Sequence, residues 1–144
     1  MKRILAILAA MTAFMSVAKA DDRPVTYQQL PSAAQAFISQ YYPEDKISYA
    51  TKDDDLILPE YTVVLVSGVK IQFENNGRLD KIESKGNGVL AEIIPVQIRE
   101  YVKQNYHNVK YVEYEVGRWS YDVKLSNGME LKFGTNFALI GIDD

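Results

Sequence analysis

The stretch Tyr61–Ile82, YTVVLVSGVKIQFENNGRLDKI, lies ungapped over Tyr121–Ile142, YDVKLSNGMELKFGTNFALIGI, at a constant offset of 60. Eight of these 22 positions are identical: Tyr61/Tyr121, Val63/Val123, Leu65/Leu125, Gly68/Gly128, Phe73/Phe133, Asn76/Asn136, Leu79/Leu139 and Ile82/Ile142. The shared residues are apolar side chains at alternate positions together with turn residues, the pattern of a duplicated β-meander. A two-residue turn after Leu65 would mix apolar and polar residues on one face. A three-residue loop, Val66-Ser67-Gly68, instead pairs Leu65 with Val69, Val63 with Ile71 and Tyr61 with Phe73, with Gly68 in the left-handed position that closes such a loop. Ser126-Asn127-Gly128 predicts the same register in the second copy. The following strands, near Arg78–Ser84 and Ala138–Asp143, carry Leu79 and Ile82 on opposite parities, a conflict that a β-bulge resolves.

Upstream of each meander the period changes to that of a helix. Leu30-Pro31 leads into residues 32–42 and Ile94-Pro95 into residues 96–106. At offset 64, Ala34, Phe37, Ile38 and Tyr42 match Ile98, Tyr101, Val102 and Tyr106, one apolar stripe of about three turns. Proline fits a first helical turn, where its missing N–H had no intrahelical partner. Between helix and hairpin, residues 47–52 align with residues 109–114 at offset 62. That alignment places two extra residues of the first copy within Pro43–Lys46 and two more between Asp53 and Glu60. The expected fold is α+β: two tandem helix-plus-meander units, about 24–85 and 89–144, packed as one domain. One small sheet with one helix cannot bury both of its faces alone. Whether the two sheets join is left open by the sequence.

Residues 1–20 read as a signal peptide. Lys2 and Arg3 precede an apolar run from Ile4 to Val17, and Ala18-Lys19-Ala20 predicts cleavage before Asp21. The run is shorter than the roughly 20 residues of a membrane span. No Cys follows it, so the expected product is exported to the periplasm, is not a lipoprotein, and does not insert in the membrane after cleavage. The mature 124 residues keep 13 basic and 19 acidic side chains, a formal net charge of −6. That balance argues against nucleic acid and anionic lipid as partners. The chain has no cysteine, which removes disulfides, thiolate metal sites and Cys nucleophiles.

The signal peptide, the two helices opening Leu30-Pro31 and Ile94-Pro95, and the pattern Tyr-x-Val-x-Leu-x-x-Gly-x-x-x-x-Phe used twice together resemble the β-lactamase-inhibitor-like, PepSY-like family of secreted periplasmic proteins. The resemblance covers essentially the whole mature chain. It implies tandem α/β repeats building a sheet with helices on one side, like the β-lactamase inhibitor fold, and a non-enzymatic role in the envelope.

Catalytic candidates are few. His107 is the one histidine; it ends a helix beside Asn108, and no serine sits in a nucleophile elbow. Gly86-Asn87-Gly88 lacks the lysine and following helix of a phosphate loop. The expectation is therefore no catalytic residue and no enzyme, with a small hydrolase of unrecognised site as one alternative. No cofactor is required. Ca²⁺ is a candidate through Asp53, Asp55 and Glu60, because a flexible acidic loop in an exported protein can supply several of the six to eight oxygens the ion takes; three adjacent acids can equally be a solvated loop. A Ca²⁺-responsive periplasmic protein using the Asp53–Glu60 loop is thus the runner-up reading, ahead of the hydrolase.

The leading expectation is a binding or inhibitor-like protein acting on another envelope protein, a peptidase among the candidates. If Tyr61, Val63, Leu65, Val69, Ile71 and Phe73 face the helices, the other face shows Thr62, Val64, Lys70, Gln72 and Glu74, and then Asp122, Lys124, Glu130 and Lys132. Lys70, Gln72, Lys124 and Lys132 are candidate partner contacts on that face. Tyr114 and Trp119, on either side of the Glu115–Arg118 turn, are candidate aromatic anchors. Trp119 shares parity with Tyr121, which also makes the core an expected place for it. Oligomeric state is not readable.

Overall fold

A computed structural model describes residues 22–55 and 57–144; the signal-peptide reading of residues 1–20 lies outside them. The period-two stretches form an antiparallel meander. In the first half β1 (Asp22–Pro24) is followed by helix α1 (Ser32–Tyr41), β2 (Ile47–Asp53), β3 (Glu60–Leu65), β4 (Lys70–Phe73) and β5 (Leu79–Glu83). In the second half helix α2 (Val96–Asn105) precedes β6 (Tyr111–Val116), β7 (Ser120–Leu125), β8 (Glu130–Gly134) and β9 (Leu139–Asp143). The strands build one nine-stranded sheet in chain order, so the protein is α+β. The two meanders are continuous because β5 pairs with β6, placing Ile82 opposite Tyr114.

The registers follow the alternation. Tyr61 faces Phe73 and Val63 faces Ile71, while Tyr121 faces Phe133 and Val123 faces Leu131. Each hairpin closes through a three-residue loop: the Leu65 N–H donates to the Val69 carbonyl at 2.8 Å, as Leu125 does to Met129. Gly68 and Gly128 take φ of 97° and 90°, as that loop requires. The parity conflict in the last strands is resolved by bulges. Leu79 faces Phe73 and Ile82 faces Ile71, leaving Asp80 as the extra residue; Ile140 is its counterpart between Leu139 and Gly141.

The expected alignment of the first strands is corrected by the pairing. Ile47 and Tyr111 both face the equivalent leucines, Leu65 and Leu125, and Ala50 and Tyr114 both face the equivalent valines. The helix offset of 64 therefore persists through β2 and β6. All four extra residues of the first half fall between β2 and β3, and none between helix and strand. Connections absorb length changes because no core contact fixes them.

Both helices enter through a short 3-10 turn, Tyr27–Gln29 and Ala91–Ile93, then Pro31 or Pro95. A side chain in each first turn reaches back to the entry carbonyl, Gln35 Nε2 to Leu30 at 2.9 Å and Arg99 Nε to Ile94 at 3.0 Å. The predicted stripes are the buried faces: Ala34 and Ile38, Ile98 and Val102. Phe37 meets Phe73 edge-on at 5.6 Å and 78°, and Tyr101 meets Phe133 at 5.6 Å and 79°. Both rings lie on the sheet face shared by Ile71, Ile82, Tyr114, Val123 and Leu131, so neither of the described helices covers the other face. The buried residues of both halves belong to one core cluster.

Candidate partner-binding surface

Strand alternation and register order the uncovered face into rows of charge. One row runs Lys70, Glu83, Glu113, Lys124, Glu130 and Asp143, each opposite the next on adjacent strands. The neighbouring row runs Thr62, Gln72, Lys81, Glu115, Asp122, Lys132 and Gly141. Lys81 stands where the two halves meet. Its ammonium donates to Glu113 and lies 3.1 Å from Glu83. The hydrogen bond to Glu113 outweighs the cost of burial, and with Glu83 it holds the lysine well above its ordinary pKa. Farther along, Lys124 lies 3.6 Å from Glu130 and Lys132 lies 3.9 Å from Asp122. Between these side chains the face opens into a groove of about 540 Å³ lined by Glu113, Glu115, Asp122, Lys124, Glu130 and Lys132 and reaching Gly141 and Asp143 of β9.

Of the expected contacts, Lys124 and Lys132 share this groove. Lys70 and Gln72 lie on the same face of β4, across β5 and β6, with Lys70 lining a second hollow of about 290 Å³. Tyr114 is corrected: it is buried at 4 % exposure on the helix side, because it faces Ile82 and Val123, and its ring stacks on Tyr121. Such a residue cannot serve as an exposed anchor. Its pKa is raised, first by burial and then by Tyr121. Trp119 goes the other way, with 77 % exposure. It sits in the turn between β6 and β7, where the Gly117 N–H donates to the Ser120 carbonyl, so strand parity with Tyr121 does not extend to it. The Arg118 guanidinium lies 5.6 Å from its ring centroid, within cation–π range.

The acidic loop is organised from within. Asp53 faces Glu60 across β2 and β3, the Asp55 N–H donates to Asp53 Oδ1 at 3.0 Å, and Asp54 is paired with Arg23 and Lys52. Among the described residues, no group of three or more acidic or histidine side chains is arranged to hold a metal ion. The carboxylates nevertheless crowd one end of the uncovered face, where Glu74, placed there by the alternation, is joined by Asp80, which sequence reasoning missed. Burial raises the Glu60 pKa, and the charges of Asp80, Asp53 and Glu74 raise it further. Burial, then Glu74, raises Asp80 against the opposing effect of Lys81. Glu115 is raised first by burial; Lys81 opposes that, and Asp122, Asp80 and Glu113 reinforce it. A carboxyl whose pKa is higher folded than unfolded favours the fold below the ordinary carboxylate range, and that contribution is lost as pH rises through the folded value. Deprotonation of this end therefore opposes folding. His107 is exposed at the end of α2, next to Asn108 with φ of 53°.

A family model described as "Putative beta-lactamase-inhibitor-like, PepSY-like" matches residues 16–56 and 59–141. Three solved structures share the fold. One, from Bacteroides thetaiotaomicron and described as a "putative calcium-regulated periplasmic protein", is 37% identical with a TM-score of 0.83, covering 86% of this chain and 98% of its own. A Bacteroides vulgatus protein of a domain-of-unknown-function family, described as a "putative periplasmic protein", is 35% identical with a TM-score of 0.83, covering 88% and 100%. A second B. vulgatus protein, described as periplasmic and of unknown function, is 30% identical with a TM-score of 0.80, covering 85% and 99%. No curated protein matches this chain.

Proposed function

We infer function from the family: this chain belongs to the β-lactamase-inhibitor-like, PepSY-like proteins, and we propose that it is a non-enzymatic periplasmic binding protein of inhibitor type. Its target is another envelope protein, a peptidase being the first class to test. We read the chain as an exported, duplicated α/β unit; the registers that recur between the halves support the duplication, and the descriptions of the similar structures support export. The observation that carries the binding role is the uncovered sheet face. The strands of one sheet hold these charged side chains in register, and their groove is formed in the free chain, which lowers the ordering cost of association. The test is capture from native envelope extract by the immobilised mature chain. Wild type should retain a protein that the Lys124→Gln, Lys132→Gln variant retains at least tenfold less. Equal retention by both, or none above a blocked-resin control, would defeat the role given to this face.

A second reading, a Ca²⁺-responsive protein, is favoured by the crowded carboxylates around Glu60 and by the description of the B. thetaiotaomicron structure. A cation closing Asp53, Asp55 and Glu60 together would relieve the same repulsion that protonation relieves. In a melting series the metal-free protein should therefore gain stability on going from pH 8 to pH 5, by about 1–3 °C in Tm after discounting for exposure. Millimolar Ca²⁺ should raise Tm at pH 8, and Asp53→Asn with Glu60→Gln should abolish the Ca²⁺ effect and reduce the pH effect to the part that Asp80 and Glu115 carry. A Tm indifferent to Ca²⁺ in wild type would sink this reading and leave the first untouched.

A further inference from the structure

The last strand of each half ends in different company. The outer edge of β5 is paired with β6: Ile82 faces Tyr114, Lys81 faces Glu115 and Glu83 faces Glu113. Its counterpart β9 is the last strand of the sheet among the described residues. Ile82 is fully buried, whereas Ile142 in the equivalent place is 53 % exposed and Ile140 beside it 60 %. The backbone differs in the same way. The Ser84 N–H donates to the Val112 carbonyl at 2.9 Å, while the Asp144 N–H turns to the Asp143 carboxylate at 2.9 Å. Alternate residues of an antiparallel strand present N–H and C=O to the same side, so Ile142, two residues before Asp144, presents its own pair outward. The opposite edge is blunted. There β1 has three residues, ends in Pro24, and has Arg23 paired with Asp54, features that discourage strand addition.

We propose that the β9 edge is a strand-docking site for an extended antiparallel segment of a protein partner that carries an aromatic residue between two basic ones. This deepens the binding reading above and rests on it. The chain supplies the template in β6. The aromatic residue takes the place of Tyr114, against Ile142, and its neighbours take the places of Glu113 and Glu115, beside Asp143 and Gly141. Charge decides what those neighbours are. In the first half Lys81 bridges Glu83 and Glu113; its counterpart is Gly141, and Asp143 faces Glu130. The groove that starts at this edge carries five carboxylates against two lysines. Cations on the incoming strand complete it, while main-chain bonds and the aromatic residue fix register.

The test is fluorescence anisotropy of a dye-labelled heptapeptide, Lys-Val-Lys-Tyr-Lys-Val-Lys, with the mature chain at low salt, and amide NMR to locate it. Saturable binding is expected, with shifts at Ile142 and Asp144. Affinity should fall at least tenfold when Glu replaces every Lys of the peptide, when the peptide's Tyr amide is methylated, or when Ile142→Pro removes the outward N–H. That substitution leaves the β8 side of β9 intact, and the methylated peptide tests the reciprocal bond of the same pair, from its Tyr N–H to the Ile142 carbonyl, without altering the protein. No saturation at millimolar peptide, or equal binding of the methylated peptide, overturns the proposal. So does a wild-type dimer that Ile142→Pro converts to monomer, because a second copy would then occupy the edge. Envelope capture undiminished by Ile142→Pro, with no peptide binding, removes the edge and leaves the binding role standing. Peptide binding at Ile142 with empty capture supports the edge and removes that role.

Discussion

Phe73→Ala is expected to destabilise the protein by about 3–5 kcal/mol, the range for removing a fully buried aromatic ring from a core that relaxes only partly. For a chain of this size that lowers Tm by roughly 10–20 °C. Phe73 is fully buried; Phe37 packs edge-on against it, and Phe37 is in turn 4.8 Å from Tyr41. The truncation thus removes the contact that holds α1 on the sheet and leaves a cavity bounded by β3, β4 and β5. Phe133 makes the equivalent contact with Tyr101, but its strand is next to the edge strand β9. That end can collapse into the void more freely, so Phe133→Ala should cost less than Phe73→Ala. Thermal or urea unfolding followed by circular dichroism measures both. A cost below about 1 kcal/mol for Phe73→Ala would show that the two halves do not depend on this ring.

The hairpin registers were legible because one face of β3, β4, β7 and β8 is apolar throughout and the other is polar apart from Val64, and a one-residue slip would turn Val63 and Ile71 to solvent. The bulges were legible from the conflicting parity of Leu79 and Ile82. Other features were not. Strands β2 and β6 contain bulges at Ser48 and Val112, so their apolar phase shifts part-way along, and the alignment at offset 62 matched residues by type across that shift. The small Ala50 and the large Tyr114 occupy the same place opposite a valine, an equivalence that similarity of side chains cannot reveal. The three residues of β1 are polar or proline and carry no periodic signal at all.

Legibility of the candidate surface followed the same division. The alternation that buries Val63 necessarily exposes Lys70, Gln72, Lys124 and Lys132, so those were found. Tyr114 and Trp119 were exchanged in burial because the turn at Gly117 interrupts the alternation between them. The Lys81 bridge and the bare edge of β9 depend on β5 pairing with β6, a contact between residues about 30 apart that no local pattern encodes. Its one sequence signal is the duplication itself: Ile82 and Ile142 are identical, yet only the first has a strand following it in the sheet.

Gly77→Ala is expected to cost about 2–4 kcal/mol, although it adds a single methyl group. Gly77 has φ of 86°, a conformation that disfavours any Cβ by about 1–2 kcal/mol. A Cβ there would also lie 2.9 Å from Ala33 Cβ and from the Ala34 backbone nitrogen, and 3.0 Å from Pro31 Cβ. Those atoms are the first turn of α1, so relief requires moving the helix off its core contacts, an overpacking strain of about 1–3 kcal/mol. The second half provides the control. Phe137 occupies the equivalent turn, with the same bond from its N–H to the residue three before it, Gly134 as against Glu74. It holds φ of 64° while its ring stacks on Tyr121 at 5.2 Å and 14°. Stacking worth about 0.5–1.5 kcal/mol beyond area burial, together with the packing of the ring against the core, offsets the backbone strain there, so Phe137→Gly should cost about 1–2 kcal/mol, less than Gly77→Ala. Paired melts of the two variants separate backbone conformation from helix approach. If Gly77→Ala melts with wild type, the helix does not rest on this turn; if Phe137→Gly proves the more damaging, the stacked rings hold the second half together more than its turn strains it.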